Sequence, residues 1–334
     1  MMRWSMKLFA PLCLVTVLLC GCAAKETADA VLHEGAVPLS AGLIYPAEIP
    51  LGVQPAAQAA APAAPVQTPA QDLQSIANPA SPAAVPTTLT AEASGAKEKK
   101  NDRAVIDYSN TADGYVMVQF KADTEKRLKA QVTGPATTYT YDLTAKEWEV
   151  FPLSDGNGAY QVTVFENVAD NKYTMELSAS FRVELKDEFG PYLYPNQYVD
   201  YTAAPNTLIK AAELVKDKTN TLEKVTAVYD YAVKHLTYDY EKARTVTSGY
   251  LPQLDSVLAA GKGICFDYAS LMAGMLRSQG IPCKLVVGYA SGAYHAWINV
   301  WTEESGWVDG VIYFDGVSWK RMDPTFASSG RQSQ

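Results

Sequence analysis

Apolar and polar residues alternate along several short stretches between residues 104 and 186, and this pattern predicts β-strands. In the clearest stretch, 128–133, apolar and polar residues alternate without a break. Alternation with a period of two places one face of a strand against a core and the other toward solvent. Turn residues separate the stretches at intervals of about ten residues, which is typical of a small antiparallel sandwich. The predicted strands are 114–120, 128–133, 137–143, 148–153, 159–166 and 173–185.

The pattern changes near residue 207, where apolar residues begin to recur at three- and four-residue steps. This is the period of an α-helix, and it is strongest over 221–235. A second apolar helix is predicted over 268–277, because Gly280 and Pro282 follow it and both residue types end helices.

Runs of β-branched and aromatic residues follow this helix and predict neighbouring strands. They cover 285–289 and 294–300, and a shorter run begins at Trp319. Helices followed by antiparallel strands indicate an α+β fold. We therefore expect an Ig-like β-sandwich domain over 101–190 and an α+β domain over 191–334.

The first hundred residues do not show either period. Residues 1–22 combine two basic residues with an apolar run that ends Leu19-Cys20-Gly21-Cys22. This run is short for a membrane span, and its last residues resemble a bacterial lipobox. The resemblance implies cleavage before Cys22 and lipidation of its thiol; a plain secretory signal and an uncleaved anchor are the alternatives. Residues 23–100 are rich in Ala and Pro and predict a disordered tether.

The charge and cysteine content narrow the class of protein. The 334-residue chain has a formal net charge of −8, so a nucleic-acid partner is not expected. Only Cys265 and Cys283 follow the tether, which is not a disulfide framework. We expect Cys283 to be a small buried residue between a helix and a strand. The sequence contains no clustered metal ligands and no phosphate-binding loop, so no cofactor and no metal are predicted.

Three residue types point to nucleophilic chemistry. Cys265 precedes the predicted helix, His295 lies at the start of a strand, and Asp323 ends the next predicted strand. A helix N-terminus and a nearby imidazole favour a thiolate, and a carboxylate can hold the imidazole in position. Each residue also has a structural interpretation, as a buried cysteine, a strand histidine or a turn cap before Pro324.

These residues lie in motifs that resemble the transglutaminase-like family, whose core is a papain-like cysteine fold. The resemblance covers about residues 205–326. It implies that Cys265 is the nucleophile, His295 the general base and acid, and Asp323 the orienting carboxylate. The matching motifs are Gly263-Ile264-Cys265-Phe266-Asp267-Tyr268-Ala269, Arg277-Ser278-Gln279-Gly280-Ile281-Pro282, Gly288-Tyr289, His295-Ala296-Trp297 and Asp323-Pro324-Thr325.

The side chain that would complete an oxyanion hole is not evident from the motifs. Such sites need a donor upstream of the nucleophile in addition to its own backbone N–H. The candidates are Gln253, Tyr240 and Tyr238. The link between the His and Asp strands is also longer than is usual in the family, and its turn is expected at Asp315-Gly316.

The sequence thus favours an extracytoplasmic, lipid-anchored enzyme that transfers acyl groups from amide bonds through Cys265, His295 and Asp323. Proteins or peptides, such as cell-wall or surface proteins, are the expected substrates, and the membrane is contacted only through the lipid anchor. Hydrolysis by water and transfer to an amine remain alternatives. A non-catalytic cell-surface binding or scaffold module with a transglutaminase-like core is the competing interpretation.

Overall fold

A computed structural model of the chain describes residues 36–38, 88–290, 293–314 and 319–320. Cys22, Asp323 and the turn expected at Asp315 lie outside the described residues. Up to Val183, the described elements are strands apart from one short 3-10 turn at Thr111–Asp113. The strands are β1 (Ala36–Pro38), β2 (Glu98–Lys100), β3 (Ala104–Asp107), β4 (Tyr115–Phe120), β5 (Leu128–Thr133), β6 (Thr138–Leu143), β7 (Trp148–Pro152), β8 (Gly158–Ala169) and β9 (Lys172–Val183).

These strands form two antiparallel sheets. One has the order β2–β3–β4–β7, and the other has the order β1–β9–β8–β5–β6. Their buried side chains belong to one hydrophobic core, to which Val118 and Phe151 contribute from the first sheet and Val162 from the second. The six stretches predicted from alternation are all strands, and 173–185 holds a single strand, β9.

The tether predicted over 23–100 includes residues that the structure attaches to the strands that follow. Strand β2, at its end, pairs with β3. Before it, the Gly95 N–H donates to Asp107 Oδ2 at 2.6 Å, and the Glu92 N–H donates to the Tyr115 hydroxyl at 3.2 Å. This segment gave no periodic signal because backbone hydrogen bonds, rather than a row of apolar side chains, attach it. The boundary at residue 100 is therefore corrected for residues 88–100.

The rest of the described chain contains both helices and strands. The helix predicted over 221–235 is confirmed at those bounds. A 3-10 turn at Gly190–Tyr192 precedes these elements. They are α1 (Pro205–Val215), α2 (Thr221–His235), β10 (Thr237–Tyr238), α3 (Tyr240–Thr245), α4 (Leu254–Ala260), β11 (Lys262–Gly263), α5 (Cys265–Arg277), β12 (Cys283–Ala290), β13 (Ala293–Thr302), β14 (Gly306–Phe314) and β15 (Trp319–Lys320).

Helix α5 is the central element of this part. Every residue from Phe266 to Arg277 is buried, because α1, α2 and α4 pack on one side and the antiparallel sheet β12–β13–β14–β15 on the other. The helix ends before Gly280, whose φ of 74° is in the left-handed region that glycine adopts most readily. Cys283 follows at the start of β12 and is fully buried, as expected.

Aromatic contacts join the two parts of the described chain. Phe189 packs on Trp301 with ring centroids 4.7 Å apart, and Tyr192 meets Trp307 edge-on at 5.1 Å. Arg277, at the end of α5, donates from Nη1 to the Tyr194 carbonyl at 2.8 Å. The antiparallel sheets and packed helices confirm the α+β class. None of the helices in the described residues is long and apolar enough to span a membrane.

Candidate active site

Cys265 is the first residue of α5, which begins three residues before the predicted start at Tyr268, and the residue is partly exposed. The Ile264 N–H donates to Asp267 Oδ2 at 2.8 Å, so the third helical residue caps the helix from within. The N–H groups of the first turn have no partner inside the helix and carry partial positive charge. The Cys265 sulfur therefore lies where an anion is stabilised.

A short parallel ladder fixes the chain in front of Cys265. Strand β10 pairs with β11 so that Tyr238 lies opposite Gly263. The Asp239 N–H donates to the Gly263 carbonyl at 2.9 Å. Residue 263 must be glycine, since an added Cβ would lie 2.5 Å from the Cβ of Asp267. The glycine thus allows the turn, the helix cap and β10 to meet at one point.

This ladder brings Tyr238 to the nucleophile position. The Tyr238 hydroxyl accepts a hydrogen bond from the Cys265 N–H. Burial raises the pKa of Tyr238, and the nearby Cys265 sulfur raises it further, so the phenol stays protonated. Of the upstream candidates, Tyr238 is therefore the one that the structure brings to Cys265.

The other two oxyanion candidates lie elsewhere. Tyr240 is 55% exposed and packs edge-on against the Tyr238 ring, with centroids 5.0 Å apart. Gln253 is exposed before the first turn of α4 and lines a cavity that also contains Trp148. Sequence spacing could not separate these residues, because the contact to Cys265 depends on the register between β10 and β11.

His295 lies on β13 and pairs with Gly288 of β12. The N–H of the next residue, Ala296, donates to the Cys265 sulfur, so the β13 backbone contacts the nucleophile directly beside His295. The His295 Nδ1 atom is buried and has no hydrogen-bond partner among the described residues. This is the ring nitrogen to which an orienting carboxylate would bind while Nε2 exchanges the proton.

The pKa shifts of this pair have one main cause. Burial raises the pKa of the Cys265 thiol, while the N–H groups of Ala296 and Phe266 act in the opposite direction. Burial also lowers the pKa of His295. Both shifts favour the uncharged forms of the two groups, the thiol and the neutral imidazole. A thiolate at neutral pH therefore requires the charge of the imidazolium, which an acceptor at Nδ1 would stabilise.

Asp267 has a second function besides capping. It is fully buried, and Lys242 Nζ of α3 lies 2.7 Å from its Oδ2 atom. The Tyr250 hydroxyl donates to Oδ1 of the same carboxylate. The Asp267 charge raises the pKa of Cys265, and the ammonium of Lys242 offsets that charge.

No described carboxylate takes the place of Asp323. Asp309 of β14 accepts a hydrogen bond from Asn299 Nδ2 at 2.7 Å, four residues along β13 from His295. At about 3.3 Å per residue this places Asp309 well away from the imidazole. The described residues also contain no group of three metal-ligand side chains. The assignment of Asp323 stays a prediction.

Cys283 differs from Cys265 in its burial and in its neighbours. Both thiols are free, so the described chain has no bridge between them. Burial raises the pKa of the Cys283 thiol to about 12, and no imidazole lies opposite it, since its partner on β13 is Val300. It is a structural residue.

Comparison with known proteins places this site in a family. The family model of the transglutaminase-like superfamily matches residues 210–310. The chain is 34% identical over 68 residues to a protein-glutamine gamma-glutamyltransferase from Pseudomonas aeruginosa, a match that covers 16% of this chain and 10% of the relative. It is 27% identical over 117 residues to the mouse kyphoscoliosis peptidase, covering 35% of this chain and 17% of the relative.

A structural comparison gives a weaker likeness. The periplasmic domain of TgpA from Pseudomonas aeruginosa, solved with bound ethylmercury, is 18% identical and has a TM-score of 0.31. The aligned part covers 69% of this chain and 75% of that domain. The chain spans less than a third of the length of the curated relatives that it matches. The segment that carries Cys265 and His295 belongs to the transglutaminase-like superfamily.

Proposed function

We propose that the chain is a thiol-dependent acyl-transfer enzyme that acts on amide bonds of proteins or peptides. The observation that carries this proposal is the position of Cys265 at the start of α5, with its sulfur at the N–H of Ala296, the residue that follows His295 on β13. The match to the transglutaminase-like superfamily supports it, and two similar proteins are named as a peptidase and a glutamyltransferase.

In the first step, His295 takes the thiol proton and the Cys265 sulfur attacks the carbonyl carbon of the amide. The carbonyl oxygen becomes an oxyanion. When the C–N bond breaks, the protonated imidazole gives its proton to the leaving amine, and a thioester on Cys265 remains. The Ala296 and Phe266 N–H groups stabilise the sulfur before the attack.

In the second step, an acceptor attacks the thioester and His295 takes the acceptor's proton. The Cys265 sulfur then leaves and recovers a proton. Water as acceptor gives a peptidase or amidase, while a lysine amine gives a cross-linking transglutaminase. Water needs no binding site of its own, so hydrolysis is the simpler outcome. Transfer to an amine requires a site that holds the amine in preference to water.

Tyr238 is the side chain that we assign to the oxyanion. Its hydroxyl lies at the Cys265 N–H, so an oxyanion formed next to the sulfur would replace the hydrogen bond between these two groups and accept one from each. Its raised pKa keeps the O–H group available as a donor across the neutral pH range. We assign the orienting carboxylate to Asp323, which would accept the hydrogen bond of the buried Nδ1 atom of His295.

We also propose that the enzyme is held outside the cytoplasm by a lipid on Cys22. The lipobox-like sequence and the Ala/Pro-rich segment behind it support this location. A tether of that composition would keep the folded part away from the membrane while its lipid stays inserted. The substrates would then be proteins or peptides of the envelope or surface.

The proposed function is tested with casein and a fluorescent primary amine. The wild-type protein should either release peptides or attach the amine to casein, and Cys265→Ala should do neither. Cys283→Ala is the matched control and should keep the activity, because its thiol is buried away from the site. Wild-type protein that performs neither reaction would favour the scaffold interpretation, in which the core only supports a binding surface.

A further inference from the structure

A cavity of about 430 Å³ lies between β6 and β12. Its volume is in the range of small-ligand sites, and aromatic rings form much of its wall. Both flanking strands are at the edges of their sheets, so the cavity separates the two parts of the described chain. The lining residues that matter here are Tyr139, Tyr141, Tyr192, Tyr198, Lys284 and Val286.

The charges that line this cavity are positive. Arg277 and Lys284 contribute to its wall, and no carboxylate does. The Arg277 guanidinium is bound to main-chain oxygens, with Nε and Nη2 donating to the Cys283 carbonyl at 3.0 and 2.8 Å. Arg277 therefore has a structural task, and Lys284 is the cation that a ligand would meet.

Lys284 is held by aromatic rings and not by an anion. Its Nζ atom lies 3.7 Å from the centroid of Trp307 and 4.7 Å from that of Tyr192. Among the described residues, this ammonium has no hydrogen-bond acceptor and no ion-pair partner. Asp309 and Glu188 are near enough to favour its charged form without contacting it, while burial lowers its pKa. A half-buried ammonium without an acceptor is costly, and a bound carboxylate would lower that cost.

One wall of the cavity is formed by β12, the strand that pairs with the strand carrying His295. Lys284, Val286 and Gly288 alternate along one face of β12, and Gly288 pairs with His295. Opposite residues of an antiparallel pair share a face, so Lys284 and His295 lie on the same side of the sheet. Four residues of a strand span about 13 Å. An extended peptide can therefore reach from Lys284 to His295 with three or four residues.

We propose that this cavity is a substrate subsite that binds a carboxylate of an extended peptide, with Lys284 as the specificity-determining cation. The proposal deepens and rests on the proposed acyl transfer, because it places an acidic residue three or four positions from the reacting amide. The tyrosine rings would pack on the peptide between the two points, and the hydroxyls of Thr137 and Ser154 line the same wall.

The test measures binding without turnover, so that it is independent of catalysis. The full chain carrying Cys265→Ala is titrated, by calorimetry, with a blocked pentapeptide that has a central glutamate. The same peptide with glutamine in that place is the neutral probe. The acidic peptide should bind about tenfold more tightly, as expected for a hydrogen bond between charged groups. The difference should decrease as salt is added.

Substitutions then show whether Lys284 is responsible. Adding Lys284→Met should remove the preference for the acidic peptide, while Lys284→Arg should keep it. Lys210→Met is the matched control: Lys210 also lies over a tyrosine ring, that of Tyr231, but outside this cavity. Equal binding of the two peptides, no binding at millimolar concentration, or a preference that survives Lys284→Met would each overturn the proposal. None of these results depends on whether Cys265 is catalytic.

Discussion

Lys242 Nζ lies 2.7 Å from Oδ2 of Asp267, and the carboxylate it contacts is completely buried beneath the first turn of the cysteine helix. Lys242 belongs to α3, which begins two residues after Tyr238, and Asp267 belongs to α5, two residues after Cys265. One ion pair thus joins the segment that carries the proposed oxyanion donor to the helix that carries the nucleophile. It also neutralises the negative charge closest to the thiol.

Replacing Lys242 with methionine should raise the pKa of Cys265. The Asp267 charge already raises that pKa, and without its ammonium partner the same charge would act more strongly on the sulfur. We expect a shift of about half a unit to one unit in the pH profile of alkylation by iodoacetamide. Stability should fall by about 2–3 kcal/mol, because the lysine is partly exposed but the carboxylate left behind is not.

Two further variants separate electrostatics from packing. Lys242→Arg keeps the charge and should leave the alkylation profile close to that of the wild type. Combining Lys242→Met with Asp267→Asn removes both charges and should return the profile toward the wild-type position, even if stability stays low. A Lys242→Met profile that is unchanged would show that the ion pair acts on folding alone.

Tyr238→Phe tests the proposed oxyanion donor. The ring and its packing are kept, but the hydroxyl that meets the Cys265 N–H is lost. Loss of one such donor lowers kcat by about 100-fold or more in comparable sites, with a smaller change in KM. Steady-state kinetics on any amide substrate of the wild-type enzyme measure both constants.

The controls for this variant are the other two upstream candidates. Tyr240→Phe removes a hydroxyl from a ring that is 55% exposed, and Gln253→Ala shortens an exposed side chain. Both should leave kcat within about a factor of three of the wild type. If Tyr240→Phe or Gln253→Ala lowers kcat as much as Tyr238→Phe does, the assignment of the donor is wrong.

The sequence predicted those features whose signal is local. Strand 128–133 and helix 221–235 are found where the apolar period places them, because each buries one regular face. The motifs singled out Cys265 and His295, and the fold brings the β13 backbone beside His295 to the Cys265 sulfur.

The missed features depend on contacts between distant residues. Lys242 and Asp267 are 25 positions apart, and no periodic pattern links them. Tyr238 and Tyr240 are indistinguishable in sequence, since only the register of β10 against β11 decides which one reaches Cys265. The attachment of residues 88–97 rests on single hydrogen bonds to polar side chains, which leave no apolar signal. Tertiary geometry decided each of these cases.

Limited proteolysis should leave a resistant fragment that begins close to residue 88. Cleavage is slow where the backbone is hydrogen-bonded and packed, and Asn110 Nδ2 donates to the Glu92 carbonyl at 2.7 Å. Mass spectrometry of the fragment gives its first residue. A fragment that begins at or after residue 100 would contradict the hydrogen bonds of Glu92 and Gly95, and protection across 50–85 would contradict the predicted tether.

Cys22→Ala should release the protein from the membrane fraction or block its maturation. The thiol of this residue is the proposed point of lipidation, so the variant would lack the lipid that anchors the chain. Fractionation followed by immunoblotting of the wild type and the variant measures the change. Cys20→Ala is the control, because this cysteine precedes the proposed cleavage point. Unchanged processing and membrane association in Cys22→Ala would exclude the lipid anchor.

His295→Ala should move the alkylation of Cys265 to higher pH by about one unit or more. Burial alone raises the pKa of this thiol, so the thiolate near neutral pH depends on the imidazolium, and alanine removes it. The shift is expected toward higher pH because loss of a neighbouring positive charge disfavours the thiolate anion. The rate of reaction with iodoacetamide between pH 5 and 10 measures the shift, with Cys265→Ala as the blank.

Alanine variants of the three proposed catalytic residues should lose activity to different degrees. Cys265→Ala should abolish acyl transfer, and His295→Ala should cost nearly as much, since members of such a unit do not act additively. Asp323→Ala should cost less, because water can partly replace the acceptor at the buried Nδ1 atom of His295. Asp323→Ala should also move the alkylation profile of Cys265 to higher pH, but by less than His295→Ala does.

If Cys265 titrates like a free thiol near pH 8.5 and does not respond to His295→Ala, the pair does not form a working site. The core would then be a scaffold, and the cavity beside Lys284 would have to be explained as a binding site without catalysis.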